Sequence, residues 1–341
     1  MRRSFWLLFF VLAATALGSR ARGAELNPRS VSAAAEYART QRGYSLLIVQ
    51  NGRTLHEERT EQRFPIFSGT KAFWCFATLS AVQEGLLSLD EPVSDTITEW
   101  RADPRRRNIH LRQLLDFTSG LESASQLHRR TRANRDREAL RVSLVAAPGS
   151  AFTYGPSHLQ VLDELLRRKL HGGSTTDFLE RRVLHPIGIH DAVDFKPDLA
   201  GNPLLASGFE LSASEWSKVG RFILAHLHGG SRAVCSPEVL NECFHSNTVN
   251  PAFGLIFWLN REAKNPAARV VDVEAQLDLG WQRANWRHAC LSHDAPADLV
   301  VSVGSYGQRL YVLPSLDLIV VRQGGGRSFR DAAFLHRLLA P

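Results

Sequence analysis

The feature that most constrains the fold is where strand-like runs fall along the chain. Tyr44 to Val49 and Arg53 to Glu58 flank Asn51-Gly52, a pair suited to the left-handed backbone of a tight antiparallel hairpin. Runs of the same kind return only near the other end: Phe253 to Leu259, Asp298 to Val303, Arg309 to Leu313 and Leu318 to Arg322. Pro314-Ser315-Leu316-Asp317 turns the last two into a second hairpin. The middle reads as helix: Leu111 to Phe117, Glu138 to Ala146, His158 to Lys169, Thr175 to Leu184 and Ser212 to His226. Ser212 and Glu215 have capping-box spacing, and Gly172-Gly173 and Gly229-Gly230 are helix stops. Ser30 to Arg42 and Ser328 to Leu339 are amphipathic or surface helices. The pattern predicts an α+β fold: one antiparallel sheet built from both termini and flanked by helices, with an inserted all-helical lobe. The sheet lobe takes residues 24–105 plus 250–341, and the helical lobe takes 106–249. A site is expected in the groove between them.

Residues 1–23 are read separately. Met1-Arg2-Arg3 is basic, Phe5 to Leu17 is apolar, and Ala21-Arg22-Gly23 offers small residues for cleavage. This is the pattern of a secretory signal peptide, which predicts a periplasmic or secreted protein with no stable membrane anchor after cleavage. An uncleaved anchor is the competing reading. Without that segment the net charge of +7 drops to about +3, so the basic balance gives no reason to expect nucleic acid. The arginines from Arg129 to Arg141 alternate with Asp136 and Glu138 and lack aromatics, which reads as a solvated helix face or loop. Cys235 and Cys243 flank a helix-like segment that holds them too far apart to bridge, and Cys75 reads as a core residue. No histidine pattern has metal-ligand spacing, so neither metal nor cofactor is expected.

The stretch that carries chemistry is Phe64-Pro65-Ile66-Phe67-Ser68-Gly69-Thr70-Lys71, followed by an apolar run from Ala72 to Ala77. If Ser68 opens a helix, Lys71 lies one turn on and on the same face. A serine hydroxyl needs a neighbouring base to become a nucleophile, and burial in an apolar helix lowers a lysine towards a usable one. Serine at a helix start is also an ordinary N-cap, so the pair alone does not decide the matter. No Gly-x-Ser-x-Gly elbow occurs, which argues against an α/β-hydrolase.

Several further segments, in order, resemble the penicillin-recognising serine hydrolases. They are Leu114-Leu115-Asp116-Phe117-Thr118-Ser119-Gly120-Leu121, then Ala147-Pro148-Gly149-Ser150-Ala151-Phe152-Thr153-Tyr154, then Gly307-Gln308-Arg309-Leu310-Tyr311-Val312-Leu313-Pro314. The branch they look like holds class C β-lactamases, D-alanyl-D-alanine carboxypeptidases, related esterases and 6-aminohexanoate-dimer hydrolase. The resemblance implies a serine β-lactamase/transpeptidase-like fold. It also implies Ser68 as the acylated nucleophile, with Lys71 and Tyr154 as proton-transfer groups. By the same resemblance, Ser302-Val303-Gly304 stands for the third motif. Gly304 would let the strand approach a ligand, and the Ser305 N–H would join the Ser68 N–H in an oxyanion hole. The likeness departs at two places. The family's Tyr-x-Asn is here Tyr154-Gly155-Pro156, with Ser157 or His158 as possible substitutes for the amide, and the third motif's lysine or histidine is Ser302.

Both departures point away from an efficient β-lactamase and towards a neutral ester or amide. The leading expectation is an exported serine hydrolase acting on a small-molecule ester, amide or peptide. The rivals are a D-alanyl-D-alanine carboxypeptidase or weak β-lactamase, and a non-catalytic binding protein on the same fold.

Overall fold

Asn51 and Gly52 have φ of 51° and 74°, the left-handed pair that a two-residue hairpin needs. They join β1 (Gly43–Gln50) to β2 (Arg53–Glu58), which follow helix α1 (Pro28–Thr40). The computed structural model describes residues 24–190, 195–230, 232–277 and 286–341. The expected signal segment therefore lies outside the described residues. Next come β3 (Phe64–Pro65), α2 (Lys71–Gln83), α3 (Leu111–Leu115), α4 (Arg135–Ala139), α5 (Ser157–Lys169) and α6 (Thr175–Leu179). The chain continues through β4 (Glu210–Leu211), α7 (Ala213–Leu227), α8 (Pro237–Asn241), β5 (Trp258–Leu259), β6 (Arg269–Val270), α9 (Val273–Leu277) and β7 (Ala289–Cys290). It closes with β8 (Val300–Gly304), β9 (Gln308–Leu313), β10 (Leu318–Gly324) and α10 (Asp331–Leu339).

The main sheet has the order β2-β1-β10-β9-β8-β5, antiparallel throughout, with strands from both ends of the chain. Its central strands β9 and β10 are buried along their whole length, so both faces are covered. Helices α1 and α10 pack together, with α1 against β1, and α7 packs against β10, β9 and β1. A Cβ on Gly220 of α7 would sit 2.7 Å from Ile319, so the missing side chain sets how closely that helix approaches the sheet. Ser212 and Glu215 form the expected capping box on α7, with N–H to oxygen distances of 2.8 and 3.1 Å.

Three local expectations need correction. The helix over Glu138 to Ala146 is instead the short α4, capped by Asn134, which accepts from the Arg137 N–H at 2.8 Å. Beyond it, Arg106 donates to the carbonyls of Leu140 and Val142, so side-chain partners replace a helical ladder. The strand expected from Phe253 to Leu259 pairs with the sheet only at Trp258–Leu259. Phe253 folds back to bridge Trp258 through a left-handed Ile256 (φ 71°). The arginine-rich stretch is not wholly solvated either. Arg135 and Asp136 are buried, the Arg135 guanidinium 3.7 Å from Asp198 and Asp136 accepting from Gln160 at 2.6 Å. Burial, then the adjacent Asp163, push the Asp136 carboxyl well above its usual value. Cys75 is a core residue as expected, and its Sγ lies 3.0 Å from that of Cys243.

Candidate active site

The approach to Ser68 is held from two sides. Phe64 and Pro65 pair with Leu211 and Glu210, the Ile66 N–H donates to the Phe209 carbonyl, and the Phe209 N–H donates to Thr70 Oγ1 at 3.1 Å. On the other side, a Cβ on Gly304 would lie 2.1 Å from the Ile66 carbonyl oxygen. Strand β8 meets this segment backbone to backbone, which leaves no room for a side chain at 304. Gly69 is constrained likewise, since a Cβ there would meet the buried Trp216 ring at 2.6 Å.

Ser68 does not open an α-helix directly. Phe67 to Thr70 form a 3₁₀ turn, and the α-helix begins at Lys71. In that tighter turn side chains three apart eclipse one another, which brings the two groups together. Lys71 Nζ lies 2.7 Å from Ser68 Oγ and donates to the Ala206 carbonyl at 2.7 Å. Helix α2 is buried on all sides from Lys71 to Ala81, so the amine has little water. Desolvation brings Lys71 down from 10.5 to about 7, which leaves a large neutral fraction near neutral pH.

Tyr154 faces the pair. Its ring lies under Lys71, with Nζ 4.8 Å from the ring centroid, and it is set in an aromatic cluster with Phe117 (5.2 Å) and Trp258 (6.3 Å). Burial pushes the phenol up to about 12, against the opposing pull of a hydrogen bond with Ser68 and the charge of Arg309. The Lys71 amine lies over the ring face and is only partly charged near neutral pH, so burial dominates.

The motif around Thr118-Ser119-Gly120 serves this tyrosine indirectly. Ser119 Oγ lies 2.9 Å from His158 Nδ1, and His158 Nε2 lies 2.7 Å from the Thr153 carbonyl next to Tyr154. The imidazole stacks on Phe117 at 4.8 Å, and burial lowers it to about 4, so the ring is neutral. His158 is therefore a core residue. Ser157 donates to the Glu122 carbonyl at 2.5 Å. Neither stands in for the missing asparagine.

Ser68, Lys71 and Tyr154 open onto a cavity of about 230 Å³ that also meets Ser123, Ser125, His128, Glu274, Gly304, Ser305 and Arg327. Ser305 is exposed on its rim, while Ser302 lies buried outside it, Oγ 3.4 Å from the Gly69 carbonyl. Thus the structure brings Ser68, Lys71, Tyr154, Gly304 and Ser305 together and leaves Ser302 behind the wall. Phe67 before the serine and Tyr306 after Ser305 both have positive φ (45° and 64°), and their rings meet at 5.2 Å. Such strained backbone costs about 1–3 kcal/mol per residue and is typical of functional sites. Glu274 fixes the turn, accepting from the N–H groups of Tyr306 (2.5 Å) and Gly307 (2.9 Å) and from Arg309. Arg309 in turn pairs with Asp331 at 2.7 Å. Burial alone would raise that carboxyl, but Arg309 prevails and holds it below the ordinary value.

Sequence reading missed Ser123, Ser125, His128, Glu274 and Arg327. They sit in loops or a short helix with no motif, and only the turn of the chain brings them to the serine.

A family model described as Beta-lactamase matches residues 31–333. The chain belongs to the beta-lactamase family. Among curated proteins it is similar to a lovastatin esterase of Penicillium rubens, 29% identical over 184 residues, which are 46% of this chain and 45% of that one. The chain spans less than half the length of the curated relatives it matches. Among solved structures, a class C beta lactamase from Rhodobacter sphaeroides superposes with a TM-score of 0.63 at 16% identity, over 92% of this chain and 99% of that one. EstCE1, described as a hydrolase with promiscuous acyltransferase activity, gives 0.61 at 16% identity, over 90% and 97%. These likenesses bear out the beta-lactamase-like α+β fold that the sequence predicted.

Proposed function

We propose that this chain is an exported serine hydrolase that cleaves an ester or amide of a small molecule through a Ser68 acyl-enzyme. The observation that carries the reading is the buried Lys71 amine, 2.7 Å from the Ser68 hydroxyl and with a large neutral fraction near pH 7. Lys71 takes the Ser68 proton as Oγ attacks the substrate carbonyl. The Ser68 and Ser305 N–H groups stabilise the oxyanion. Tyr154, neutral and hydrogen-bonded to Ser68, passes a proton to the leaving group. Water then attacks the ester carbonyl of the acyl-enzyme, with the same groups returning the proton to Ser68. Export rests on the N-terminal sequence, and the esterase among the relatives supports an ester substrate.

A D-alanyl-D-alanine carboxypeptidase or weak β-lactamase is the second reading. Arg327 favours it, because a guanidinium on the cavity wall is the kind of cation a substrate carboxylate pairs with. A fluorescent penicillin and a fluorophosphonate, applied in parallel, separate the readings. Labelling of Ser68 by the fluorophosphonate alone supports the esterase or amidase, and labelling by both supports the second. With neither label, and p-nitrophenyl ester turnover identical in wild type and Ser68→Ala, the protein is a binding module and the proposal is wrong.

A further inference from the structure

Lys71 makes two short contacts, and the second depends on a turn far away in sequence. Its acceptor, the Ala206 carbonyl, sits at the apex of a turn spanning 204–209. Three side chains hold that turn. Gln160 Oε1 accepts from the Leu205 N–H at 3.1 Å, Thr70 Oγ1 accepts from the Phe209 N–H at 3.1 Å, and His128 Nδ1 lies 2.9 Å from Ser207 Oγ. The first two ties are buried, while the third opens on the catalytic cavity. His128 ends a 3₁₀ turn (Ser125–His128) whose Leu127 is anchored in the core and whose Ala124 is left-handed (φ 54°). The ring is thus delivered to the cavity by a locally constrained loop, and among the described residues Nε2 takes no protein partner.

We propose that His128 is a positioning residue for the Lys71 base, acting through Ser207 to hold the Ala206 carbonyl against the amine and to keep water from it. This rests on the hydrolase reading above and names a residue for which the sequence offered no motif. It also accounts for how the site works without the missing asparagine, since Pro156 supplies no polar group on that wall and the Ser123-to-His128 segment does. Partial desolvation at the cavity wall and the nearby charges of Lys71 and Arg135 lower the His128 pKa, which favours a neutral imidazole, while the side chain as a whole stays exposed. The other titratable groups around the amine are Tyr154, His158, Glu274 and Arg327.

The test measures the rate of Ser68 phosphonylation by a fluorophosphonate against pH, which reports on the base without knowledge of the natural substrate. His128→Ala, Ser207→Ala and the double variant are expected to slow labelling at pH 7 by a similar factor, about ten- to a hundredfold, without multiplying. Water admitted beside the amine moves the pH midpoint upward, and His128→Asn, which restores a polar group near Nδ1, recovers most of the rate. Wild-type behaviour of both single variants overturns the inference. So does a His128→Ala defect with an unmoved midpoint and a silent Ser207→Ala. If His128→Ala does not fold, Ser207→Ala alone must show the slowed rate and the shifted midpoint. Failure of the wild type to label overturns the hydrolase reading itself, a separate result.

Discussion

Replacing Lys71 by methionine should abolish acylation and yet stabilise the fold in acid. The folded-state pKa of about 7 lies below the 10.5 of an ordinary lysine. Between those values the unfolded chain binds a proton that the folded chain does not, so stability rises with pH. Below about pH 7 both states are protonated and the cost of burying the ammonium is complete, about 5 kcal/mol. Raising the pH from 6 to 9 recovers about 2.5 kcal/mol of it. The Lys71→Met protein lacks this dependence, and its lost contacts to Ser68 and Ala206 are absent at both pH values and cancel. The quantity to measure is the stability of variant minus wild type, from urea unfolding followed by circular dichroism at pH 6 and pH 9. It should fall by about 2.5 kcal/mol between the two. A difference that changes by less than about 0.5 kcal/mol means that the amine is not desolvated as the geometry implies.

Tyr154→Phe should slow acylation by about 10²–10⁴-fold. Because the phenol titrates near 12, the wild-type rate should show no second inflection between about pH 7 and pH 10 in a stopped-flow ester assay. Gly304→Ala forces a methyl onto the Ile66 carbonyl at 2.1 Å, and should lower stability by about 1–3 kcal/mol in thermal melts while reducing fluorophosphonate labelling. His158→Phe keeps the stack on Phe117 but leaves the Thr153 carbonyl unpaired and takes away one of the Ser119 hydroxyl's two partners, the Leu121 N–H remaining. It should cost about 2–4 kcal/mol by urea unfolding, with a fall in the rate at which Tyr154 acts.

Much of the fold was written in local pattern. Asn51-Gly52, the Pro314-to-Asp317 turn and the Ser212/Glu215 box fix their own backbones, so they were legible without tertiary context. The short α4 was not, because Arg106, distant in sequence, takes the carbonyls that a longer helix would use. The Ser68/Lys71 pair was legible from its spacing, although a 3₁₀ turn rather than an α-helix makes it meet. Ser302 was expected at the site because the resemblance set it in the third motif, and that likeness does not say how the neighbouring segment closes over it. His128 and Glu274 carried no signal at all. Their place depends on where the Ala124 turn and α9 come to rest, which pairwise spacing along the chain does not encode.

The central claim is that Ser68 becomes covalently acylated. Quenching the enzyme within its first turnovers of a p-nitrophenyl ester, then digesting it and mapping the mass adduct, tests this directly. The account predicts one acyl group on the peptide bearing Ser68, absent from Ser68→Ala and accumulating as nitrophenolate is released. Ester hydrolysis at an undiminished rate with no adduct on Ser68 would contradict it.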